Sequence, residues 1–213
     1  MNLVATFSIV AYDPPTAAWG VAVQSRYLAA GNIVPWAKAG AGAVATQAFA
    51  NPRFGPLGLA MLEQGLSAEE TIAALIAADP GSALRQVGVV DRSGRAAVHT
   101  GAECIPWAGH VVAEHCACQG NILAGPAVVR DMADTFAAQS AVALPERLIA
   151  VLEAGQRAGG DTRGQQSAAL LVVCEGGGFA GYSDRVVDLR VDDHVTPIAE
   201  LARLLRLHRE TFG

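Results

Sequence analysis

Lysine is almost missing from this chain. A single lysine, Lys38, stands against fourteen arginines in 213 residues. Charge in general is scarce: 16% of residues are charged and the net charge is -5. A protein that grips nucleic acid through its phosphates needs a basic stripe, and this balance excludes one. Hydrophobic residues make up 52% of the chain, which excludes a disordered polymer. The mean hydropathy of +0.31 is high, yet no run of 18 apolar residues exists, because Arg, Gln, Asp or Gly interrupts each candidate. A membrane-spanning helix is therefore not expected. The opening Met1-Asn2-Leu3-Val4-Ala5 has no Lys or Arg and so lacks the basic start of a secretory signal. A cytoplasmic protein is expected, with Cys104, Cys116, Cys118 and Cys174 as free thiols. Familiar catalytic signatures are absent too: there is no Gly-x-Ser-x-Gly, no Walker loop and no His-Glu-x-x-His.

Chain length suits one domain, large enough to bury roughly 70% of its unfolded surface without a disulfide or metal. Thr6-Phe-Ser-Ile-Val-Ala-Tyr12 is β-branched and aromatic and predicts a strand. Asp13-Pro-Pro-Thr16 turns the chain, and Trp19 to Ser25 returns it, so residues 6–25 form a hairpin. Residues 41–48 predict a third strand. Asn51-Pro52 opens a helix through Leu57, Leu59, Met61 and Leu62, and Ser67-Ala-Glu-Glu70 caps a second. Strands follow at 86–91, 95–99 and 108–118, then helices at 126–139 and 144–157. Ser167 to Cys174 is a nearly continuous apolar run, hence a strand covered on both faces. A glycine turn at 175–178, a strand at 185–191 and an amphipathic helix at 197–208 close the chain. Strands and helices in clusters predict an α+β fold, with two stacked, largely antiparallel sheets between helical layers.

Chemistry is less obvious. His115-Cys116-Ala117-Cys118 suggests zinc, but it lacks a second ligand pair, and small residues in a buried strand explain it better. No metal or cofactor is expected. Polar residues gather instead at strand ends: Gln24, Ser25 and Arg26; Thr46, Gln47 and Asn51; Gln119 and Asn121; Asp161 to Ser167. Each cluster alone suits a turn. Four of them in a chain with so little charge point to one shared pocket.

Several segments resemble one bacterial family. They are Thr6-Phe-Ser-Ile-Val-Ala, Gly20-Val-Ala-Val-Gln-Ser, Val34-Pro-Trp-Ala, Gly42-Ala-Val-Ala-Thr-Gln-Ala, Ile105-Pro-Trp-Ala-Gly, Gln119-Gly-Asn-Ile-Leu-Ala-Gly, Gly160-Asp-Thr-Arg-Gly-Gln-Gln-Ser and Val187-Asp-Leu-Arg-Val-Asp-Asp-His. The family is domain-of-unknown-function family 1028, grouped with N-terminal-nucleophile (Ntn) hydrolase-like proteins, and the resemblance spans about residues 6–208. It implies a four-layer αββα sandwich. It also implies that the first residue of the mature chain attacks an amide, with its own α-amine, of reference pKa about 7.7–8.0, as general base.

By that resemblance Thr6 is the nucleophile, residues 1–5 are a leader to be removed, and residues 6–213 are a single domain. Five residues precede Thr6, and an intact Ala5–Thr6 bond would leave it no free amine. Likeness to proteasome-type subunits implies Lys38 and Asp161 as further catalytic residues, although Gln24-Ser25-Arg26 stands where those subunits have Asp-Ser-Arg. It implies backbone N–H groups at Thr46 to Ala48 for an oxyanion. Asn121 would orient a substrate amide, and Arg26 or Arg163 would clamp a carboxylate. Gln24, Ser25, Thr46, Gln47 and Asn51 complete the expected substrate site. The expected activity is hydrolysis of a small linear or cyclic amide; the alternative is a non-catalytic binding or assembly protein that keeps its leader. A homo-oligomer is expected, with neither nucleic acid nor membrane as partner.

Overall fold

The computed structural model describes Val4 and residues 6–212. Ten strands and five α-helices run in the order β1 (Thr6–Asp13), β2 (Ala18–Ser25), β3 (Pro35–Lys38), β4 (Gly42–Ala48), α1 (Phe54–Glu63), α2 (Ala68–Ala77), β5 (Arg85–Asp91), β6 (Ala96–Thr100), β7 (Gly109–Ala113), β8 (Cys116–Gly120), α3 (Ala127–Ala138), α4 (Leu144–Arg157), β9 (Ser167–Val173), β10 (Arg185–Val191) and α5 (Pro197–Phe212). One sheet has six strands in the order β10-β9-β2-β1-β8-β7, the other four in the order β3-β4-β5-β6. Every pairing in both sheets is antiparallel.

Period-two alternation builds the layers. Phe7, Ile9, Cys116, Cys118, Leu170 and Val172 face one way and pack on Met132, Phe136, Leu148, Leu152 and Leu201 of α3, α4 and α5. Val44, Val87 and Val89 face the opposite outer side, onto Phe54, Leu62 and Leu75 of α1 and α2. Between the sheets lie Val10, Val21, Val23, Ala43, Ala45, Val90, Ala117 and Ala169. The protein is therefore a four-layer α+β sandwich. Alanine is abundant in the middle layer, where two sheets about 10 Å apart leave little room for branched chains on both sides. Gly88 is a related adaptation, since a side chain there would collide with the Gln119 amide.

Local signals behave as their chemistry predicts. Ser67 accepts from Glu70 N while Glu70 accepts from Ser67 N, a complete capping box for α2. Helix α1 starts at Phe54, two residues after the expected Pro52, with Asn51 Oδ1 accepting from Arg53 N. Pro56 sits in its first turn, where a missing N–H costs nothing. Helix α5 continues to Phe212.

Two elements differ from the sequence expectation. Residues 108–118 are not one strand but the hairpin β7–β8, in which Ala113 pairs with Cys116 and His115 takes a positive φ of 62°. Glu114-His115 carries no Gly, Asn or Pro to announce a turn. Strand β3 was also not expected. It is four residues long, begins with Pro35 and lies at a sheet edge, where proline's missing donor is tolerated. No helix among the described residues is long and apolar enough to cross a membrane.

Candidate functional site

Strand register brings the polar residues to one end of both sheets. In the six-stranded sheet Thr6 pairs with Ser25, Ser25 with Ser167, and Phe7 with Gly120. In the four-stranded sheet Gln47 pairs with Gln86, and Gln86 with Thr100. Alternation then decides which side chains look inward between the sheets. Thr6, Ser8, Ser25, Gln47, Gln86, Gln119 and Ser167 share the phase of the apolar middle layer, and all are buried.

These side chains form a connected network. Ser8 Oγ donates to Gln47 Oε1 at 2.6 Å. Gln47 Nε2 donates to Gln86 Oε1 at 2.8 Å and lies 3.4 Å from Thr6 O. Gln86 Oε1 also accepts from Asn121 Nδ2 at 3.0 Å, while Gln86 Nε2 reaches Gly120 O at 2.9 Å and Thr100 Oγ1 at 3.0 Å. Gln119 Nε2 crosses the sheets to Ala45 O at 3.0 Å. Every member is neutral, so the interior stays polar without burying charge. Three buried amide oxygens at this end, on Gln24, Gln119 and Asn121, have no hydrogen-bond partner among the described residues. An unmet buried acceptor is costly, and a donor from a ligand would satisfy it.

Thr6 lies at the head of β1, fully buried. Its Oγ1 donates to Val4 O at 2.9 Å and is 3.1 Å from Ser25 Oγ. Val4 forms an isolated bridge with the last residue of β4: Val4 N donates to Ala48 O at 2.7 Å, and Ala48 N to Val4 O at 3.0 Å. The Val4 carbonyl thus receives both the Thr6 hydroxyl and the Ala48 N–H. Thr46 N is engaged with Val34 O. The Ala5–Thr6 bond, on which a free Thr6 amine depends, lies partly outside the described residues.

The other expected site residues separate into near and far. Asp161 is buried near Asn121, because Asp161 bridges to Leu123 and Asn121 N donates to Thr6 O. Its carboxylate is held by Arg163, with Nη2 at 2.7 Å and Nε at 3.1 Å. Arg26 and Arg163 line an open cavity of about 530 Å³ with Gly164, Gln166, Asp193 and His194, next to the end of β2. Gln24 and Thr46 lie in the other strand phase. Gln24 Nε2 approaches Gly164 O at 3.4 Å and Thr46 Oγ1 donates to Asn51 O at 3.2 Å. Asn51 ties down its loop through Asp79, to which Nδ2 donates at 3.0 Å. Asp79 in turn pairs with Arg85 at 2.9 Å, and this guanidinium draws its carboxyl down to about 2.

Lys38 is not brought to the cluster. It sits half exposed at the end of β3, opposite Gly42 at the start of β4, and pairs with Glu63 at 2.5 Å. Gln47 lies five residue steps along β4 from Gly42, about 17 Å along a strand. Gln86 and Ser8 belong to the cluster although they were not singled out as site residues. Strand phase would have found Ser8, two residues from Thr6. Gln86 opens the strand expected at 86–91 like any strand-end residue, and only the pairing with β4 reveals it.

His115 precedes β8, and Cys116 and Cys118 point into the helical layer. Among the described residues no group of three His, Cys, Asp or Glu side chains could hold a metal ion.

Comparison with known proteins bears on the whole chain. No curated protein matches it. The crystal structure of the protein SPO2555 from Silicibacter pomeroyi, assigned to DUF1028, superposes with a TM-score of 0.87 at 32% identity. The match covers 98% of this chain and 90% of that one. The model of the family of unknown function DUF1028 matches residues 6–201, beginning at Thr6 itself, and the chain belongs to that family.

Proposed function

We propose that the protein is an Ntn-type amidohydrolase that cleaves a small amide with Thr6 once residues 1–5 are removed. One observation carries this: the buried Thr6 hydroxyl and the Ala48 N–H are both occupied by the leader, at the Val4 carbonyl oxygen, so that its removal opens a peptide-sized space beside the nucleophile. Release of the leader uncovers both groups and gives Thr6 an α-amine. The amine accepts the hydroxyl proton as Thr6 Oγ1 adds to the substrate carbonyl. The C–N bond then breaks, and the leaving amine takes that proton. Water hydrolyses the acyl-threonine ester, yielding the acid and restoring the hydroxyl. Ser25, within 3.1 Å of Thr6 Oγ1, holds the nucleophile's orientation. Asp161 fixes Arg163 beside the cavity, where that side chain and Arg26 favour a substrate carboxylate.

The test is the intact mass of the untagged protein, followed by an amide screen. The expected mass lacks Met1 to Ala5, and Thr6→Ala is expected to abolish turnover while keeping the fold. Full turnover by Thr6→Ala would sink this proposal.

A second reading is a ligand-binding or assembly protein that retains its leader. The uniformly neutral interior network favours it, since it supplies no general base. A thermal shift with a ligand that is never turned over would support it. Under either reading a homo-oligomer would cover the exposed Phe179, Tyr182 and Phe212, and sedimentation would show it.

A further inference from the structure

We propose that the seat held by Val4 is a subsite for a peptide-like substrate, one residue before the scissile amide. This rests on leader removal as described above and narrows the substrate from small amides in general to linear, peptide-like ones. Three observations support it. Val4 and Ala48 exchange both backbone hydrogen bonds, the contact one peptide unit makes with a strand end. Ala48 is fully buried, so loss of Val4 leaves its N–H and C=O without those partners in a place that demands them. The Val4 side chain is 2% exposed, within the apolar cluster that holds Val23, Ala30 and Val34. A substrate that refills the seat therefore needs a backbone N–H, a backbone C=O and a small branched apolar side chain. Its next residue then carries the carbonyl that Thr6 attacks.

A cyclic amide without that donor–acceptor pair cannot satisfy Ala48. An acidic side chain would bury a charge among apolar groups, so the seat selects against it.

The experiment uses the chain beginning at Thr6. All ten strands and five helices among the described residues lie within residues 6–212, and the family match starts at residue 6, so this chain keeps each of those elements. The probes are acetyl-Val-Ala-p-nitroanilide, acetyl-Asp-Ala-p-nitroanilide and acetyl-p-nitroanilide. The expected kcat/KM for the Val probe exceeds that for the Asp probe by about tenfold or more. Equal rates on all three probes would overturn the subsite and leave Thr6 hydrolysis standing. If no probe is turned over, acetyl-Val-Ala-amide is titrated while hydrogen exchange at Ala48 N–H is followed. Protection there upholds the seat and removes the hydrolase; no protection overturns the seat. Should the shortened chain fail to fold, the full chain with Val4→Asp replaces it, because the apolar seat rejects the carboxylate and frees Ala48 for the same titration.

Discussion

Gln47 and Gln86 are joined amide to amide across neighbouring strands, with Gln47 Nε2 2.8 Å from Gln86 Oε1, and neither side chain touches solvent. Gln86 is the hub, since its oxygen accepts twice and its nitrogen reaches the backbone of β8. Gln86→Leu keeps the volume but removes the acceptor shared by Gln47 Nε2 and Asn121 Nδ2. At about 1–3 kcal/mol for each buried group that loses its partner, the expected loss is about 2 kcal/mol or more. Urea unfolding would show a lower midpoint with an unchanged slope. A loss below about 1 kcal/mol would mean that the network is easily replaced.

Asp79 gives a pH-dependent prediction. Its carboxyl lies near 2 in the folded protein against 3.8 unperturbed, drawn down first by the Arg85 hydrogen bond. The folded state therefore favours the charged form. That stabilisation is complete above about pH 4 and disappears as pH falls through about 2. Asp79→Asn is expected to cost about 2 kcal/mol at pH 7 and almost nothing near pH 2. Chemical unfolding of both proteins at the two pH values checks this. A constant difference would assign the cost to packing.

Lys38 is expected to be dispensable. Its ion pair with Glu63 is half exposed, and such pairs contribute about 0–1 kcal/mol. Lys38→Met should leave stability within about 1 kcal/mol and any amide turnover unchanged. A large drop in turnover with normal KM would return Lys38 to the catalytic site.

Thiol reactivity separates the cysteines. Cys174 is partly exposed, whereas Cys104, Cys116 and Cys118 are buried. Burial pushes the Cys104 thiol up and the Cys118 thiol up strongly, which suppresses the reactive thiolate. Ellman's reagent is expected to label one thiol quickly in the native protein and the other three only on unfolding. Fast labelling of two or more would show that the β8 layer opens readily.

The sequence by itself determined the local elements and their faces. β-branched residues with period two set the strands, Ser67 and Glu70 set a cap, and the apolar run at 167–173 announced a strand covered on both sides. It also marked the strand ends as unusually polar. The β7–β8 turn escaped because Glu114-His115 lacks turn residues, and only antiparallel pairing of the two flanks holds His115 at positive φ. Tertiary structure decided which polar residues meet. Gln24 and Ser25 are neighbours in sequence yet face opposite layers, since adjacent strand residues point apart. Gln47, Gln86 and Asn121 are distant in sequence yet share hydrogen bonds, because register between strands places them at one level. Val4 meets Ala48 for the same reason, and Lys38 is left at the far end of β4. Composition and periodicity are local properties of the chain. A site is a relation between strands, fixed by sheet order and register, and those emerge only when distant segments bury their apolar faces together.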